Sequence, residues 1–225
     1  MENLIEYKEG ATFVGNSTNW ESKVEKGRGW SYGAELMLEK TVGKTTGWLA
    51  YTLSWSQRQF ENLNFGNVFP AKYDSRHDIS IALTHTFNKR IDMGATWVFN
   101  TGNAITLGTR EYLGADVPSI HDNFHGRPGI TEYQGRNNYR MPPYHRMDLG
   151  INFHKQKKHG MRTWNISIYN VYSRQNAFVL MWDWKREMHT IVQDGKEIKV
   201  MGDKTILKKF SLYPIIPSFS YSYKF

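Results

Sequence analysis

The feature that most constrains this chain is a hydrophobic period of two residues that recurs from one end to the other. Side chains alternate between the two faces of a β-strand, so this period argues for strands and against helices. Tyr32, Ala34, Leu36 and Leu38 share one face, and Gly33, Glu35, Met37 and Glu39 share the other. Leu49, Tyr51, Leu53 and Trp55 alternate with small or hydroxylated residues, as do Ile79, Ile81, Leu83 and Phe87. The pattern returns in Ile91–Asn100, in Met147, Leu149, Ile151 and Phe153, and in Trp164, Ile166 and Ile168. It ends in Phe219, Tyr221, Tyr223 and Phe225 against Ser218, Ser220, Ser222 and Lys224.

A soluble sandwich also alternates, so the connections carry the next step. Short links at Thr41–Thr46, Asn88–Arg90 and Lys155–Arg162 separate long ones at Gly10–Gly29, Phe60–Ser75, Thr101–Pro143 and about Arg174–Lys204. Strict alternation of short and long is the habit of an outer-membrane barrel, with tight turns on one side and long loops on the other. Each alternating stretch is roughly 8–11 residues, enough to cross a bilayer at a tilt. In lipid every backbone group must be paired, which is why strands cross membranes in closed barrels. The reading is an all-β, antiparallel transmembrane β-barrel segment of about eight strands, from Leu4–Lys8 to Ser218–Phe225. Alone, it is expected to form an open, curved sheet with unpaired edges at those two strands, an aggregation liability.

Composition agrees. The 225 residues include 12 Phe, 8 Trp and 13 Tyr, yet mean hydropathy is −0.60. One apolar face per strand, one polar face and long polar loops account for both facts. Aromatics gather near strand ends, with Trp48 and Phe87 near short links and Trp97, Phe99, Tyr144, Tyr172 and Trp182 near long ones. Trp and Tyr favour the membrane–water interface. The absence of Cys excludes thiolate metal sites, thiol nucleophiles and a disulfide scaffold. The longest dense apolar run, Ala177–Trp182, is too short for a transmembrane helix. Met1-Glu-Asn-Leu-Ile-Glu-Tyr-Lys8 lacks the basic and apolar regions of a signal peptide and reads like the middle of a strand, so the chain is expected to begin after its own targeting information.

The ending Pro217-Ser-Phe-Ser-Tyr-Ser-Tyr-Lys-Phe225 resembles the assembly signal of outer-membrane barrels, carried by Phe219, Tyr221, Tyr223 and Phe225. Tyr73-Asp-Ser-Arg-His-Asp78, Pro142-Pro-Tyr-His-Arg-Met-Asp-Leu149 and Ile168-Tyr-Asn-Val-Tyr-Ser-Arg-Gln-Asn176 resemble strand-start and strand-end motifs of TonB-dependent receptors, especially those of Bacteroidetes, and Gly29-Trp-Ser-Tyr-Gly-Ala-Glu35 fits the same family. The resemblance covers essentially the whole chain. It corresponds to the last third or so of a member, whose barrel has about 22 strands around a plug. It implies residence in the outer membrane and energy-coupled uptake of a scarce nutrient: a siderophore, cobalamin, glycan or peptide. No plug or TonB-contacting segment is found in residues 1–225, so this portion is expected not to transport alone. Implied partners are outer-membrane lipid and lipopolysaccharide, the barrel-assembly machinery, and TonB only through the missing N-terminal part. Loop residues expected first to touch ligand are Trp20, Arg110, Tyr112, Tyr133, Arg136, Tyr139 and Trp184.

Other chemistry is thinly supported. Arg76 with Asp78, and Arg146 with Asp148, share the inward face of a strand and suggest a lumenal ion-pair ladder between neighbouring strands. His121-Asp-Asn-Phe-His125, with Asp116, has metal-ligand residue types but no fixed third ligand. No nucleophile elbow is present, and neither catalysis nor a cofactor is expected. The net charge of +8 invites nucleic acid, but Lys40, Lys44, Lys89, Arg90, Lys155, Lys157 and Lys158 sit at turns rather than in an aromatic-interleaved stripe. The alternative reading is a small autonomous outer-membrane barrel with a structural or adhesive role. If the ion-pair ladder is structural, Arg146→Ala lowers the yield of folded protein in a refolding assay and abolishes no turnover.

Overall fold

The computed structural model describes residues 1–8, 20–108, 110–113, 129–193 and 196–225. Fifteen strands run through them: β1 (Leu4–Tyr7), β2 (Val24–Lys40), β3 (Thr45–Phe60), β4 (Phe69–Pro70), β5 (His77–Asn88), β6 (Ile91–Asn100), β7 (Ala104–Ile105), β8 (Arg110–Leu113), β9 (Gly129–Glu132), β10 (Tyr139–Arg140), β11 (Tyr144–Lys157), β12 (Gly160–Tyr169), β13 (Val179–Gln193), β14 (Lys196–Phe210) and β15 (Ile216–Lys224). Among the described residues there is no α-helix, only 3-10 turns at Trp20–Lys23 and Asn64–Gly66. The chain is all-β, as its period requires.

One nine-stranded sheet runs in the order β1-β2-β3-β5-β6-β11-β12-β15, with β4 appended to β3. Its neighbours follow chain order, so it is an up-and-down meander. The order has two ends and is open, with β1 and β15 at the edges. Three two-stranded ribbons lie apart from it: β7 with β10, β8 with β9, and β13 with β14. All three fall in connections expected to be long. The segment Arg174–Lys204, expected as a loop, is largely regular strand: Val179 pairs with Phe210 and the ladder continues to Gln193 opposite Lys196. The main strands also exceed the expected stretches, with 17 residues in β2 and 16 in β3.

The chain divides into two compact units. Unit 1 comprises Met1–Glu39, Trp48–Ser80 and Phe99–Pro143. It holds a small apolar core of Phe60, Leu63 and Phe69, against which Leu4 packs. The Phe60 and Phe69 rings stack with centroids 5.9 Å apart. At Gly29 a Cβ would lie 2.6 Å from the Leu4 side chain and 2.9 Å from the Gln57 carbonyl oxygen, so β2 can approach its neighbours there only as glycine.

Unit 2 comprises Lys40–Gly47, Ile81–Val98 and Tyr144–Phe225. Its register keeps the two faces of the sheet chemically pure. Phe153 lies opposite Trp164, and Trp164 opposite Tyr221. Ile151, Ile166 and Phe219 form the next apolar row, and Leu149, Ile168 and Pro217 the one after. The alternate rows are His154, Thr163, Ser222; Asn152, Asn165, Ser220; and Gly150, Ser167, Ser218. Gly160 opens β12 with φ of 153°, and a Cβ there would lie 2.2 Å from the Lys224 carbonyl oxygen. Gly160→Ala is therefore expected to cost more than about 1 kcal/mol, read as a lower midpoint in denaturant unfolding.

Candidate functional site

The two faces of the unit 2 sheet differ in chemistry. On the apolar face Ile166 is 50% exposed, Phe219 64%, and Phe153, Tyr221 and Leu83 are also exposed. The Trp164 ring lies 4.9 Å from Phe219 and 4.6 Å from Tyr221, so aromatics tile this face. Single exposed apolar residues are ordinary, but contiguous rows of them mark an interaction surface.

The opposite face carries a hydrogen-bonded polar network. Asn165 donates to Asn152 Oδ1 at 2.8 Å, and Asn152 donates to Asp92 Oδ1 at 2.8 Å. His154 bridges the Asp92 carboxylate and the Thr163 hydroxyl, the latter at 2.9 Å from Nδ1. Carboxylate, imidazole and hydroxyl thus stand in series. Yet β12 lies between β11 and β15, so the backbone N–H groups around Thr163 belong to the two ladders and offer no oxyanion hole. The series ties three strands together.

The motif residues singled out in the sequence act as anchors where strands meet connections. Asn170 is 0% exposed, at φ of 54°, a left-handed conformation that Asn tolerates. Its side chain donates to the carbonyls of Arg174 at 3.0 Å and Tyr213 at 2.9 Å and accepts from the Arg174 N–H at 3.0 Å. Its own N–H donates to Asp148 Oδ1 at 2.9 Å. Asn176 mimics a strand partner, accepting from the His145 N–H at 3.1 Å and donating to the His145 carbonyl at 2.9 Å. Arg146 pairs with Asp148 at 3.0 Å along its own strand, and its guanidinium lies 4.1 Å over the Tyr169 ring.

Unit 1 holds the matching anchor at Asp74, which is 2% exposed. Asp74 Oδ1 accepts from the Ser56 N–H at 2.7 Å, and Oδ2 pairs with Arg140. Arg140 also donates to the Gly102 carbonyl at 2.9 Å. Arg76 reaches Asp74 at 3.5 Å and lies 4.5 Å over the Trp55 ring. Arg76 precedes β5 and is freed from its alternation, so it pairs with Asp74 rather than joining Asp78 in a ladder between neighbouring strands, and Arg146 pairs with Asp148 within its own strand. A second tie joins Glu6 to Arg58 at 2.8 Å and to Arg136 at 2.9 Å.

Among the expected ligand contacts, Arg136 is thus committed to Glu6, and its N–H donates to Asn64 Oδ1 at 2.9 Å. Trp20 is exposed in its 3-10 turn, Tyr133 is exposed, and Tyr139 lies on β10 opposite Ile105. Arg110 and Tyr112 lie on β8 opposite Glu132 and Ile130, and Trp184 on β13 opposite Thr205. Trp184 belongs to unit 2 and the others to unit 1. On the same ribbon, Lys185 donates to Glu187 at 2.8 Å, which raises its pKa above the ordinary lysine value. His121, Asp122, His125 and Asp116 lie outside the described residues. Among the described residues no group of three or more His, Asp or Glu is placed to hold a metal ion. The anchors Asp74, Arg140, Asn170 and Asn176 are not among the expected site residues; Asp74, Asn170 and Asn176 belong to the quoted motifs, and Arg140 lies outside them.

No family model matches this chain, and no curated protein or solved structure matches it either. Removing the buried carboxylate would leave Arg140 without its counter-charge. Asp74→Ala is expected to destabilise by about 3 kcal/mol and loss of the exposed Lys185–Glu187 pair by far less, both read from urea unfolding.

Proposed function

We propose that the chain forms part of a transmembrane β-barrel in the bacterial outer membrane, the C-terminal portion of a TonB-dependent receptor barrel that takes up a scarce nutrient by energy coupling. The observation that carries the bilayer reading is the inverted face of β11, β12 and β15. Phe153, Ile166, Phe219 and Tyr221 stand exposed on one side, with Leu149, Ile151, Trp164 and Ile168 half-buried among them, while Asn, His, Thr and Asp satisfy one another on the other. Water rewards the reverse arrangement; a hydrocarbon exterior and a watery lumen reward this one. The short links after β2, β5 and β11 and the long connections after β3, β6 and β12 support the same assignment, with short turns at the periplasmic side.

The receptor reading rests on the quoted motifs, to which the structure gives physical roles. Asp74, Arg76, Asp148, Asn170 and Asn176 secure the strand ends from which long connections leave. Such ends must be rigid if loops are to form a ligand site. The cargo class stays broad, a siderophore, cobalamin, glycan or peptide, and the chain is a structural share of the receptor rather than a transporter by itself.

One substitution separates bilayer from water. Ile166 is half exposed, so in a soluble sheet Ile166→Arg would change stability by less than about 0.5 kcal/mol. On a lipid face near mid-bilayer the same change costs about 2–4 kcal/mol. The expected result is that the wild-type chain floats with phosphatidylcholine vesicles and resists carbonate extraction, and that Ile166→Arg sharply lowers the floated fraction. A wild-type chain recovered in the soluble fraction would overturn the proposal.

A further inference from the structure

We infer that Lys155 and Arg162 form a site for the phosphate headgroup of an anionic phospholipid, in the leaflet at the short-turn end of the sheet. The inference rests on the bilayer reading above and names a lipid contact within it. Lys155 stands directly opposite Arg162 in the register of β11 and β12. Directly opposed residues project to the same face, and like charges there repel. That face is the apolar one, since the next row toward the sheet interior is Phe153, Trp164 and Tyr221. The neighbour of Arg162 on β15 is Tyr223, which brings a hydroxyl and no carboxylate. Asp92 and His154 are engaged with each other on the opposite face. Lys157 and Lys158, at the adjoining turn, add charge of the same sign.

Arg162 is half-buried, and its Nε is buried without a hydrogen-bond partner. A guanidinium N–H held from water with no acceptor is unfavourable, and an anion is what relieves it. A phosphate between the two cations would answer the repulsion and the orphaned donor together. The apolar row above argues for a lipid rather than a free anion. Phe153 and Tyr221 are exposed there, so acyl chains continuing from the headgroup would lie against aromatic rings. A ligand with a phosphate at one end and hydrocarbon at the other fits both halves.

The test uses the full chain in nanodiscs of phosphatidylcholine doped with phosphatidylglycerol, with retained lipids counted by native mass spectrometry. Wild-type protein is expected to retain phosphatidylglycerol about tenfold over its share of the bilayer. Lys155→Gln with Arg162→Gln should return retention to the bulk ratio, and Lys40→Gln with Lys44→Gln, at another short turn, should leave it unchanged. Lys155→Glu guards against misfolding: it gives Arg162 an internal partner, should fold at least as well, and should lose the enrichment. Absence of enrichment in the wild type, an equal loss in the Lys40/Lys44 variant, or full displacement by inorganic phosphate would each overturn the site. Flotation with neutral vesicles but no enrichment would overturn this inference alone; no flotation with either lipid would overturn the bilayer reading as well.

Discussion

The cross-strand register of β11, β12 and β15 is the constraint on which the rest of this structure depends. A slip of one residue would set Asn152 against Ile166 and mix every row, because the side-chain period is two. In water the burial of apolar side chains fixes such a register. Against hydrocarbon that force is absent, since a lipid tail is as apolar as the neighbouring leucine. In the membrane setting proposed above, the register is held from the polar side. The Asn152–Asn165 bond, the His154–Thr163 bond and the Ser167–Ser218 bond at 2.7 Å are each made between residues directly opposed. One slipped residue breaks all three.

The same economy governs the strand ends. Where β3, β5, β11 and β12 give way to connections, backbone donors and carbonyls lose their ladder partners, and side chains replace them. Asp74 takes the Ser56 N–H, Asp148 takes the Asn170 N–H, and Asn176 serves both backbone groups of His145. Arg140 and Arg146 then neutralise the carboxylates. Among the described residues the buried core is small, and these polar anchors do for the long connections what a hydrophobic core does for a soluble loop.

Legibility in the sequence followed the range of the interaction. Alternation is local, so Leu36–Leu38, Ile151–Phe153 and Phe219–Phe225 declare their faces without a partner. The ribbon of β13 and β14 carries no clear alternation because its rows mix types: Arg186 opposes Asp203, Lys185 opposes Lys204, and Met188 opposes Met201. Its one clear sign was Asp194-Gly195 between Gln193 and Lys196, a dipeptide that favours two-residue hairpin links. The partner of Asp74 was beyond reach altogether, since Arg140 lies 66 residues away and no local period points to it. Likewise Arg136, a loop residue expected to touch ligand, is tied to Glu6 across 130 residues.

By itself the sequence determined that this chain makes antiparallel strands with one apolar and one polar face, joined alternately by short and long links. That information is carried by period and spacing, which need no three-dimensional partner. Only the tertiary structure decided which residues stand opposite one another, which charges compensate one another, and which are left opposed. Lys155 and Arg162 are seven positions apart in a basic stretch; the hairpin between them sets them side by side on the apolar face. Charge pairing is a property of distance through space, and distance through space is fixed by register and turn geometry.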